Sequence, residues 1–255
     1  MESTSRRIAV VTGGAKGIGA EVCRSLAQRG NKVWIADLDL SQAKALAAEL
    51  AQHGGRAQAI ALDVGQPESV AQAFAAIDAE DHRCDVLVNS AGIAKVFPFL
   101  DFPLANFVDT LNINVTGTLL CAQHAARLMV RHRWGRIVNI ASVAGLRAVG
   151  TGRTAYGTSK GAVVALTRQM AVELAEHGIT ANAVCPGPVD TPMTQALHTA
   201  QFREEYAKAI PMERYGTPQE IAAAVLYLAS EEAAYTTGIA LPVDGGFLAS
   251  GARAL

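Results

Sequence analysis

Residues 8–27 read IAVVTGGAKGIGAEVCRSLA, a short apolar run followed by a glycine-rich turn and then a helical stretch. A buried strand followed directly by a helix is the repeating unit of layered α/β folds. The glycines between Thr12 and Gly19 allow a tight turn and let backbone N–H groups approach a pyrophosphate. Such a group is stabilised by the free amides and partial positive charge of a helix N-terminus. The stretch therefore predicts a nucleotide-binding strand–turn–helix unit.

The same alternation of short apolar runs and longer helical stretches continues along the chain. Most of the runs are continuous, which is typical of strands buried on both faces of a parallel sheet. The predicted strands are 7–12, 32–37, 56–64, 85–92, 135–142, 179–187 and 238–246, and the predicted helices are 17–29, 41–53, 67–80, 103–133, 156–177 and 218–230. This order predicts an α/β fold with a doubly wound, seven-stranded parallel sheet and helices on both faces.

The pattern predicts one domain over residues 1–255, because no linker, repeat or low-complexity stretch interrupts it. Ser41 is the candidate N-cap of the second helix. The segment 188–217 is polar and contains prolines, and it lies between the sixth strand and the last helix. A segment of that length in a compact domain predicts a functional lid.

Composition and charge disfavour several classes of protein. The 255 residues are 50% hydrophobic, and the formal net charge of −1 indicates no binding to nucleic acid or an anionic membrane. The first residues lack the apolar run of a signal peptide, and no run reaches the roughly 20 residues of a membrane span. The histidines show no ligand spacing, so no metal site is expected. The cysteines form no C-x-x-C pair, which predicts reduced buried thiols and a cytoplasmic protein: Cys23, Cys84, Cys121 and Cys185.

Asp37 stands at the end of the second predicted strand, 18 residues after Gly19. A carboxylate at this position can accept hydrogen bonds from the adenosine ribose of a dinucleotide. It would meet the additional phosphate of NADP as a like charge, which favours NAD. Lys16 argues the other way, because its ammonium could reach that phosphate from the glycine loop. Since no Arg or Lys directly follows Asp37, the sequence predicts NAD over NADP.

Residues 154–163, TAYGTSKGAV, place Tyr156 and Lys160 four positions apart in a predicted helix. Residues at that spacing lie on one face, about one turn apart. By themselves they suit a surface helix with an exposed lysine better than they suit a catalytic pair. Gly157 and Gly161 carry no side chain, which predicts that another group approaches the helix closely at these positions.

The chain resembles the short-chain dehydrogenase/reductase family across nearly its whole length, and within it NAD-dependent alcohol dehydrogenases. The matching motifs stand in the family's order: TGGAKGIG at 12–19, LDV at 62–64, NSAG at 89–92, LNINVTG at 111–117, NIASVAG at 139–145, YGTSK at 156–160, PGPVDTPM at 186–193 and VDGG at 243–246. Ser90 departs from the family's usual NNAG. The resemblance implies a Rossmann-like fold and an enzyme that acts on an alcohol or ketone with a nicotinamide cofactor.

The resemblance also implies four catalytic residues: Asn114, Ser142, Tyr156 and Lys160. In such enzymes the tyrosine exchanges a proton with the substrate oxygen while hydride passes to or from the nicotinamide. Lys160 and the positive nicotinamide would lower the pKa of the phenol from about 10. Ser142 would hydrogen-bond the reacting oxygen, and Asn114 would hold a water that links Lys160 to solvent.

The motifs and the resemblance together indicate the cofactor-binding residues. They are Gly13, Lys16, Gly17, Ile18, Gly19, Asp37, Leu38, Asp63, Val64, Asn89, Ala91, Gly92, Tyr156, Lys160, Pro186, Gly187, Val189, Thr191 and Met193. Substrate contacts are expected from 143–153, from residues after NSAG and from the lid. The candidates are Ala144, Arg147, Arg153, Lys95, Phe97, Val189 and His198. The three cations among them could recognise an anionic group, although exposed cations are common.

The expected function is oxidation of a small polar secondary alcohol, such as a polyol or sugar-like molecule, or the reverse reduction. A 3-oxoacyl-thioester reductase stays open as an alternative, although those that use NADPH tend to carry basic residues where Asp37 stands. A non-catalytic dinucleotide-binding protein is the third alternative, and the complete catalytic set argues against it. Fold alone would not separate these alternatives.

The resemblance further implies a homodimer or homotetramer that pairs through helices 103–133 and 156–177. One apolar stripe of the second helix suits packing on the sheet: Val163, Leu166, Met170 and Leu174. Val164 and Ala171 lie off this stripe, so they are candidates for contact with a second subunit.

Overall fold

The computed structural model describes residues 7–250, so residues 1–6 and 251–255 of the predicted domain lie outside the described part. The strands are β1 Ile8–Thr12, β2 Lys32–Asp37, β3 Arg56–Ala61, β4 Val86–Asn89, β5 Gly135–Ile140, β6 Ile179–Pro186 and β7 Ala240–Val243. Within the described residues they form one seven-stranded sheet in the order β3-β2-β1-β4-β5-β6-β7. All neighbouring pairs are parallel, which confirms the predicted sheet.

The helices of the described part alternate with these strands. They are α1 Gly17–Gln28, α2 Leu40–Gln52, α3 Pro67–Asp81, α4 Leu104–Leu111, α5 Gly117–Val130, α6 Thr154–Leu174, α7 Pro192–Leu197, α8 Ala200–Lys208 and α9 Pro218–Leu228. Helices cover both faces of the sheet. Val11 packs in one core with residues of α1, α2 and α9, whereas Val10 packs in the other with residues of α3, α5 and α6. Successive strand residues point to opposite faces, so one apolar run supplies both cores.

Several strands are shorter than the sequence predicts. β3 ends at Ala61, β4 at Asn89 and β7 at Val243. The LDV motif follows β3, and the NSAG and VDGG motifs begin at the last residues of β4 and β7. The residues beyond these strand ends leave the sheet as loops at its carboxyl edge. Ligands of open α/β folds bind outside this edge, so the motifs lie where the fold positions a site.

The predicted helix 103–133 is wrong as a single element. It consists of α4, a π-helical turn over Asn112–Thr116, and α5. A Cβ on Gly117 would lie 2.8 Å from Cβ of Val64, so the chain needs a glycine at the end of this turn. The turn places Asn114 in a π-helical segment, a feature that often marks functional sites.

The prediction that Ser41 caps α2 is also wrong. Asp39 is the N-cap, because its Oδ1 accepts a hydrogen bond from the backbone N–H of Gln42 at 3.2 Å. Ser41 lies inside the first turn and donates to the same oxygen at 2.7 Å. A carboxylate acceptor satisfies the free amides of a helix start as well as a serine does, so sequence preference did not separate the two.

The lid segment 188–217 is folded rather than irregular. It contains α7 and α8, and a parallel bridge joins Val189 to Gly216 near its ends. The N–H of Asp190 donates to the carbonyl of Gly216 at 2.9 Å, and the N–H of Gly216 donates to the carbonyl of Pro188 at 2.9 Å. These bonds clamp the two ends of the segment together.

Val164 and Ala171 do not supply a surface for a second subunit, contrary to the prediction. Both side chains are buried against their own chain, at 4% exposure each. Val164 packs beside residues of β6, and Ala171 packs in the core that contains α3 and α5. Val172 is the large apolar residue of α6 that stays exposed, at 76%.

Three further properties concern residues 7–250 only. No helix there has the length and apolar character needed to cross a membrane. No group of three or more His, Cys, Asp or Glu side chains within that range is placed to hold a metal ion. The four cysteines are free and buried, as predicted.

Candidate active site

A cavity of about 430 Å³ opens at the carboxyl edge of the sheet. We call it the large cavity. All the predicted cofactor residues line it except Gly19 and Asn89, and Ser142 lines it as well. The lining residues that were not predicted are Leu62, Ser90, Ile93, Ile113, Ile140, Ala141, Pro192 and Thr194. Six of these lie inside the quoted motifs, and Ile93 and Thr194 directly follow one, so counting every motif residue and the next position would have found them.

Gly19 and Asn89 support the large cavity from behind. A Cβ on Gly19 would lie 2.1 Å from the carbonyl oxygen of Gly13, so α1 packs directly on the turn that precedes it. Asn89 is buried, and its Nδ2 donates to Oδ1 of Asn139 on the neighbouring strand at 2.9 Å. Both residues hold the frame of the site and do not face the cavity.

The glycine loop fits a pyrophosphate. Gly13 and Gly17 have φ angles of +61° and +54°, which side-chain-bearing residues rarely adopt. A Cβ on Gly13 would lie 2.7 Å from Cα of Ala91. The N-cap of α1 is Lys16, and its side chain caps no amide of the helix. The first amides of α1 are therefore available to an anion at the cavity wall.

Asp37 ties the glycine loop to the end of β2. Its Oδ2 accepts from the N–H of Ala15 at 3.0 Å, and its Oδ1 accepts from the N–H of Asp39 at 2.9 Å. A carboxylate offers about four acceptor positions, so two remain for the hydroxyls of a ribose. Lys16 also lines the large cavity, and its Nζ lies 3.3 Å from Oδ2 of Asp39.

One side of the large cavity carries Ser142 and Tyr156. We call it the catalytic wall, because both residues are predicted to be catalytic. Ser142 follows β5, and its Oγ accepts from the N–H of Ala144 at 3.1 Å, which fixes the side chain. Burial raises the pKa of the Tyr156 phenol, and a hydrogen bond with Ser142 and the charge of Arg153 act in the opposite direction. Burial outweighs both contributions in the chain by itself, and the lowering of this pKa by Lys160 together with a bound nicotinamide stays a prediction.

Lys160 is anchored below the phenol ring. Its Nζ lies 5.7 Å from the ring centroid of Tyr156 and donates to the carbonyl of Ile140 at 2.8 Å. Burial lowers the pKa of Lys160 to about 8. A lysine with such a pKa exchanges its proton near neutral pH, which an exposed lysine does not do.

Asn114 is buried behind the catalytic wall and does not line the large cavity. Its Nδ2 donates to the carbonyl of Ile93 at 3.0 Å and to Oγ of Ser159 at 2.9 Å, while its Oδ1 accepts from the N–H of Ile93 at 2.9 Å. A Cβ on Gly92 would lie 3.1 Å from this Oδ1 and 3.5 Å from Nζ of Lys160. Asn114 therefore lies close to Lys160, and its amide fixes the loop after β4.

The clearance at Gly157 and Gly161 serves the protein chain rather than the cofactor. A Cβ on Gly157 would lie 3.3 Å from the carbonyl oxygen of Ala144, and one on Gly161 would lie 3.5 Å from that of Gly145. The turn Val143–Gly145 packs directly on α6. This contact holds Ser142 beside Tyr156.

A smaller cavity of about 70 Å³ adjoins the catalytic wall, and we call it the small cavity. Ser142 and Tyr156 line both cavities. Three predicted substrate residues line the small one, namely Ala144, Arg153 and His198, and Val189 lines the large one.

The other predicted substrate residues lie outside both cavities. The guanidinium of Arg147 lies over the ring of Phe247, 5.2 Å from its centroid. Phe97 lines a separate cleft with residues 148–154, and Lys95 lines neither cavity. Tyr206 of the lid lines the small cavity and was not predicted, because nothing in its local sequence connects it with Tyr156.

Comparison with known proteins identifies the family. Residues 13–248 match the family model described as enoyl-(acyl carrier protein) reductase. The chain is 38% identical over 241 residues to the 3-oxoacyl-[acyl-carrier-protein] reductase FabG of Aquifex aeolicus, which covers 94% of this chain and 96% of that protein. Its fold is similar to that of a short-chain type dehydrogenase/reductase from Mycobacterium marinum, with a TM-score of 0.91, 38% identity and 96% of each chain covered. The chain belongs to the short-chain dehydrogenase/reductase family.

A second structure of this family is similar to the chain. It is a gluconate 5-dehydrogenase from Burkholderia cenocepacia J2315 in complex with NADP and tartrate, with a TM-score of 0.92, 32% identity and 96% of each chain covered. Membership of the family makes the protein an oxidoreductase that acts on a small molecule with NAD(P). The large cavity, with its glycine loop and Asp37, is the part of the chain that fits such a cofactor.

The buried Lys160 leads to a prediction on stability. Its pKa is about 8 in the folded chain against 10.5 for an ordinary lysine, so the unfolded chain binds the proton more tightly. Below the folded pKa this difference destabilises the fold by about 3 kcal/mol, and the effect disappears as the pH rises through that range. We expect Lys160→Met to have a larger free energy of unfolding than the parent at pH 7 and to lose this difference towards pH 10.

Urea unfolding of both proteins across this pH range measures the effect. Lys44→Met, which removes an exposed lysine of α2, is the matched control and should show no such pH dependence. A stability difference for Lys160→Met that stays constant from pH 7 to pH 10 would contradict the prediction.

Proposed function

We propose that the protein interconverts a small polar secondary alcohol and the corresponding ketone with NAD. The observation that carries the proposal is the position of Ser142 and Tyr156, which line both the large and the small cavity. The gluconate 5-dehydrogenase of similar structure was solved with tartrate, a small polyhydroxylated molecule, which supports a polar substrate.

We assign a separate role to each side chain of the catalytic wall. A bound nicotinamide supplies or accepts the hydride. Tyr156 exchanges a proton with the substrate oxygen, and Ser142 donates a hydrogen bond to that oxygen and stabilises charge that develops there. Lys160, with a pKa of about 8, returns the proton from solvent to the phenol. Asn114 positions Ile93 and Ser159 around this pair and completes the proton path.

The preference for NAD is part of this proposal. Asp37 lines the large cavity, and Asp39 lies next to it, with its backbone N–H bonded to Asp37. Lys16, the cation nearest to this wall, is ion-paired with Asp39. A phosphate on the ribose would therefore meet the carboxylate of Asp37, and the ammonium of Lys16 is already paired with Asp39, which disfavours NADP.

A 3-oxoacyl-thioester reductase is the second candidate, and the 38% identity to the Aquifex aeolicus enzyme favours it. The two candidates share their chemistry and differ in substrate and cofactor. An assay of a 3-oxoacyl thioester with NADPH, beside a panel of secondary alcohols with NAD⁺, separates them. A thioester rate that exceeds every alcohol rate would establish the second candidate.

We also propose that the protein is a cytoplasmic homodimer or homotetramer. The four free, buried cysteines support a reducing compartment. Apolar side chains exposed on α4 and α6 support assembly: Leu104 at 75%, Val108 at 55% and Val172 at 76%. Patches of this kind are usually covered by a second subunit.

The first prediction of this proposal concerns Tyr156. Tyr156→Phe should bind NAD as the parent does but lower kcat by about 10²–10⁴-fold, the usual contribution of general acid–base catalysis. Fluorescence titration with NADH and steady-state assays measure the two quantities. Tyr235→Phe, which changes a fully exposed tyrosine, is the matched control. Parent-like turnover in Tyr156→Phe would remove the phenol from the mechanism.

The second prediction concerns the cofactor. The enzyme should use NAD at least about tenfold better than NADP in kcat/KM, which corresponds to about 1.4 kcal/mol. Asp37→Ala should narrow this ratio by removing the carboxylate that repels the phosphate. Lys16→Gln is the control, since the cation is already paired and its loss should leave the ratio close to that of the parent. A preference of the parent for NADP would show that the electrostatic argument fails.

The third prediction concerns assembly. Light scattering at micromolar concentration should give a mass near two or four times 26.7 kDa. Val172→Lys together with Val108→Lys should lower that mass, because burial of two charges in an apolar interface is unfavourable. A parent protein that stays monomeric would rule out the proposed assembly.

A further inference from the structure

We propose that the substrate carries a carboxylate, which Arg153 binds while Ser142 and Tyr156 hold the reacting oxygen. The substrate class is then a small hydroxy acid or oxo acid. The inference rests on the proposed function, and it makes Arg153 a specificity-determining residue of that reaction.

The position of Arg153 is the first support. It lies directly before α6, three positions ahead of Tyr156, and residues at that spacing are neighbours on one side of a helix. Arg153, Tyr156 and Ser142 all line the small cavity. The charge of Arg153 acts on the phenol and lowers its pKa, in opposition to burial. A molecule held by both hydroxyls in this cavity therefore lies within reach of the guanidinium.

The missing counter-charge of Arg153 is the second support. Other arginines pair with carboxylates, such as Arg24 with Glu49 at 2.8 Å and Arg203 with Asp190 at 3.0 Å. Within residues 7–250, Arg153 has no carboxylate partner, and its hydrogen bond goes to Nε2 of His198 at 2.8 Å. Partial burial of a guanidinium without a counter-charge costs free energy, and a bound anion would offset this cost. Four of its five N–H groups remain for that ligand.

The hydrogen bonds of the wall are the third support. Nε2 of His198 must accept from Arg153, so the ring is neutral and its Nδ1–H donates to the hydroxyl of Tyr215 at 3.0 Å. Burial and the charges of Arg153 and Arg203 lower the pKa of His198, which agrees with a neutral ring. Burial raises the pKa of Tyr206 to about 12, so this phenol keeps its proton. Both ring nitrogens of His198 are thus engaged, and the protonated hydroxyl of Tyr206 is left to donate to the acceptor-only oxygens of a carboxylate.

The other two candidate cations do not meet these conditions. Arg147 lies over the ring of Phe247 and outside the small cavity, and Lys95 does not line it. Asp190 of the lid is paired with Arg203 and does not line the small cavity either. Arg153 is therefore the cation that lines the small cavity, and no carboxylate lines that cavity beside it.

The test compares acids with neutral molecules of the same skeleton. The probes are 3-hydroxybutanoate, 4-hydroxypentanoate and gluconate, each beside its primary amide, with NAD⁺ at pH 7. For the best pair we expect the parent to favour the acid at least tenfold in kcat/KM. Arg153→Gln should raise KM for the acid at least tenfold and leave the amide within about threefold, and Arg153→Lys should restore part of the difference.

Arg147→Gln is the matched control, because it removes a cation of the same loop from outside the cavity. Its acid-to-amide ratio should equal that of the parent. If Arg153 only held the lid through His198, Arg153→Gln would weaken acid and amide equally, and the proposal would be wrong. A parent enzyme that prefers the amides would overturn it as well.

Calorimetric titration of the same acids into the enzyme–NAD⁺ complex separates this inference from the proposed function. Binding that Arg153→Gln weakens at least tenfold, without turnover of any acid or neutral alcohol, would support the carboxylate site and refute the dehydrogenase reaction. Turnover of neutral alcohols with no detectable binding of any acid would do the reverse.

Discussion

The contact between the glycine loop and the end of β4 determines the rest of the site. Gly13 lies so close to Ala91 that a Cβ would reach 2.7 Å from its Cα. Oγ1 of Thr12 accepts from the N–H groups of Ser90 and Ala91 at 3.2 and 3.3 Å, which locks the two loops together. β1 and β4 are neighbours where the strand order reverses, so their carboxyl ends diverge and leave a crevice there. Glycine is required because any side chain would push the loops apart and fill the crevice.

The catalytic wall depends on a second close approach, which buries a charge. A Cβ on Gly145 would lie 2.5 Å from the carbonyl carbon of Lys160, so the turn after β5 lies directly on α6. This packing holds Ser142 beside Tyr156, but it also removes Lys160 from water and lowers its pKa. The same burial that destabilises the charged lysine gives it a pKa suited to proton transfer near neutrality. Stability and function therefore oppose each other at this residue.

Local patterns predict the sheet and the nucleotide wall of the large cavity, whereas the other lining residues were predicted from the resemblance to the family. Continuous apolar runs mark buried strands, and the glycine turn and Asp37 mark the nucleotide wall. The sequence does not predict the π-helical turn before Gly117, since a close approach to Val64 imposes it from outside the helix. The burial of Val164 and Ala171 was missed for a related reason. An amphipathic pattern assumes one buried face, whereas α6 packs against its own chain on more than one side.

The acidic residue that bears on the cofactor and the basic residue that bears on the substrate line different cavities. Asp37 lines the large cavity only, whereas Arg153 lines the small one and not the large one. Asp37, which in our proposal disfavours a ribose phosphate, therefore lies in a different cavity from Arg153, which in our proposal binds a substrate anion. No acidic residue lines the small cavity, so no carboxylate there opposes the proposed binding of an anion by Arg153. The lid contributes His198 and Tyr206 to that cavity. The bridge between its ends restrains the lid, and the hydrogen bond from Arg153 fixes His198 beside the start of α6. Under the two proposals, substrate choice depends on contacts between the lid and the start of α6, and cofactor choice depends on the end of β2.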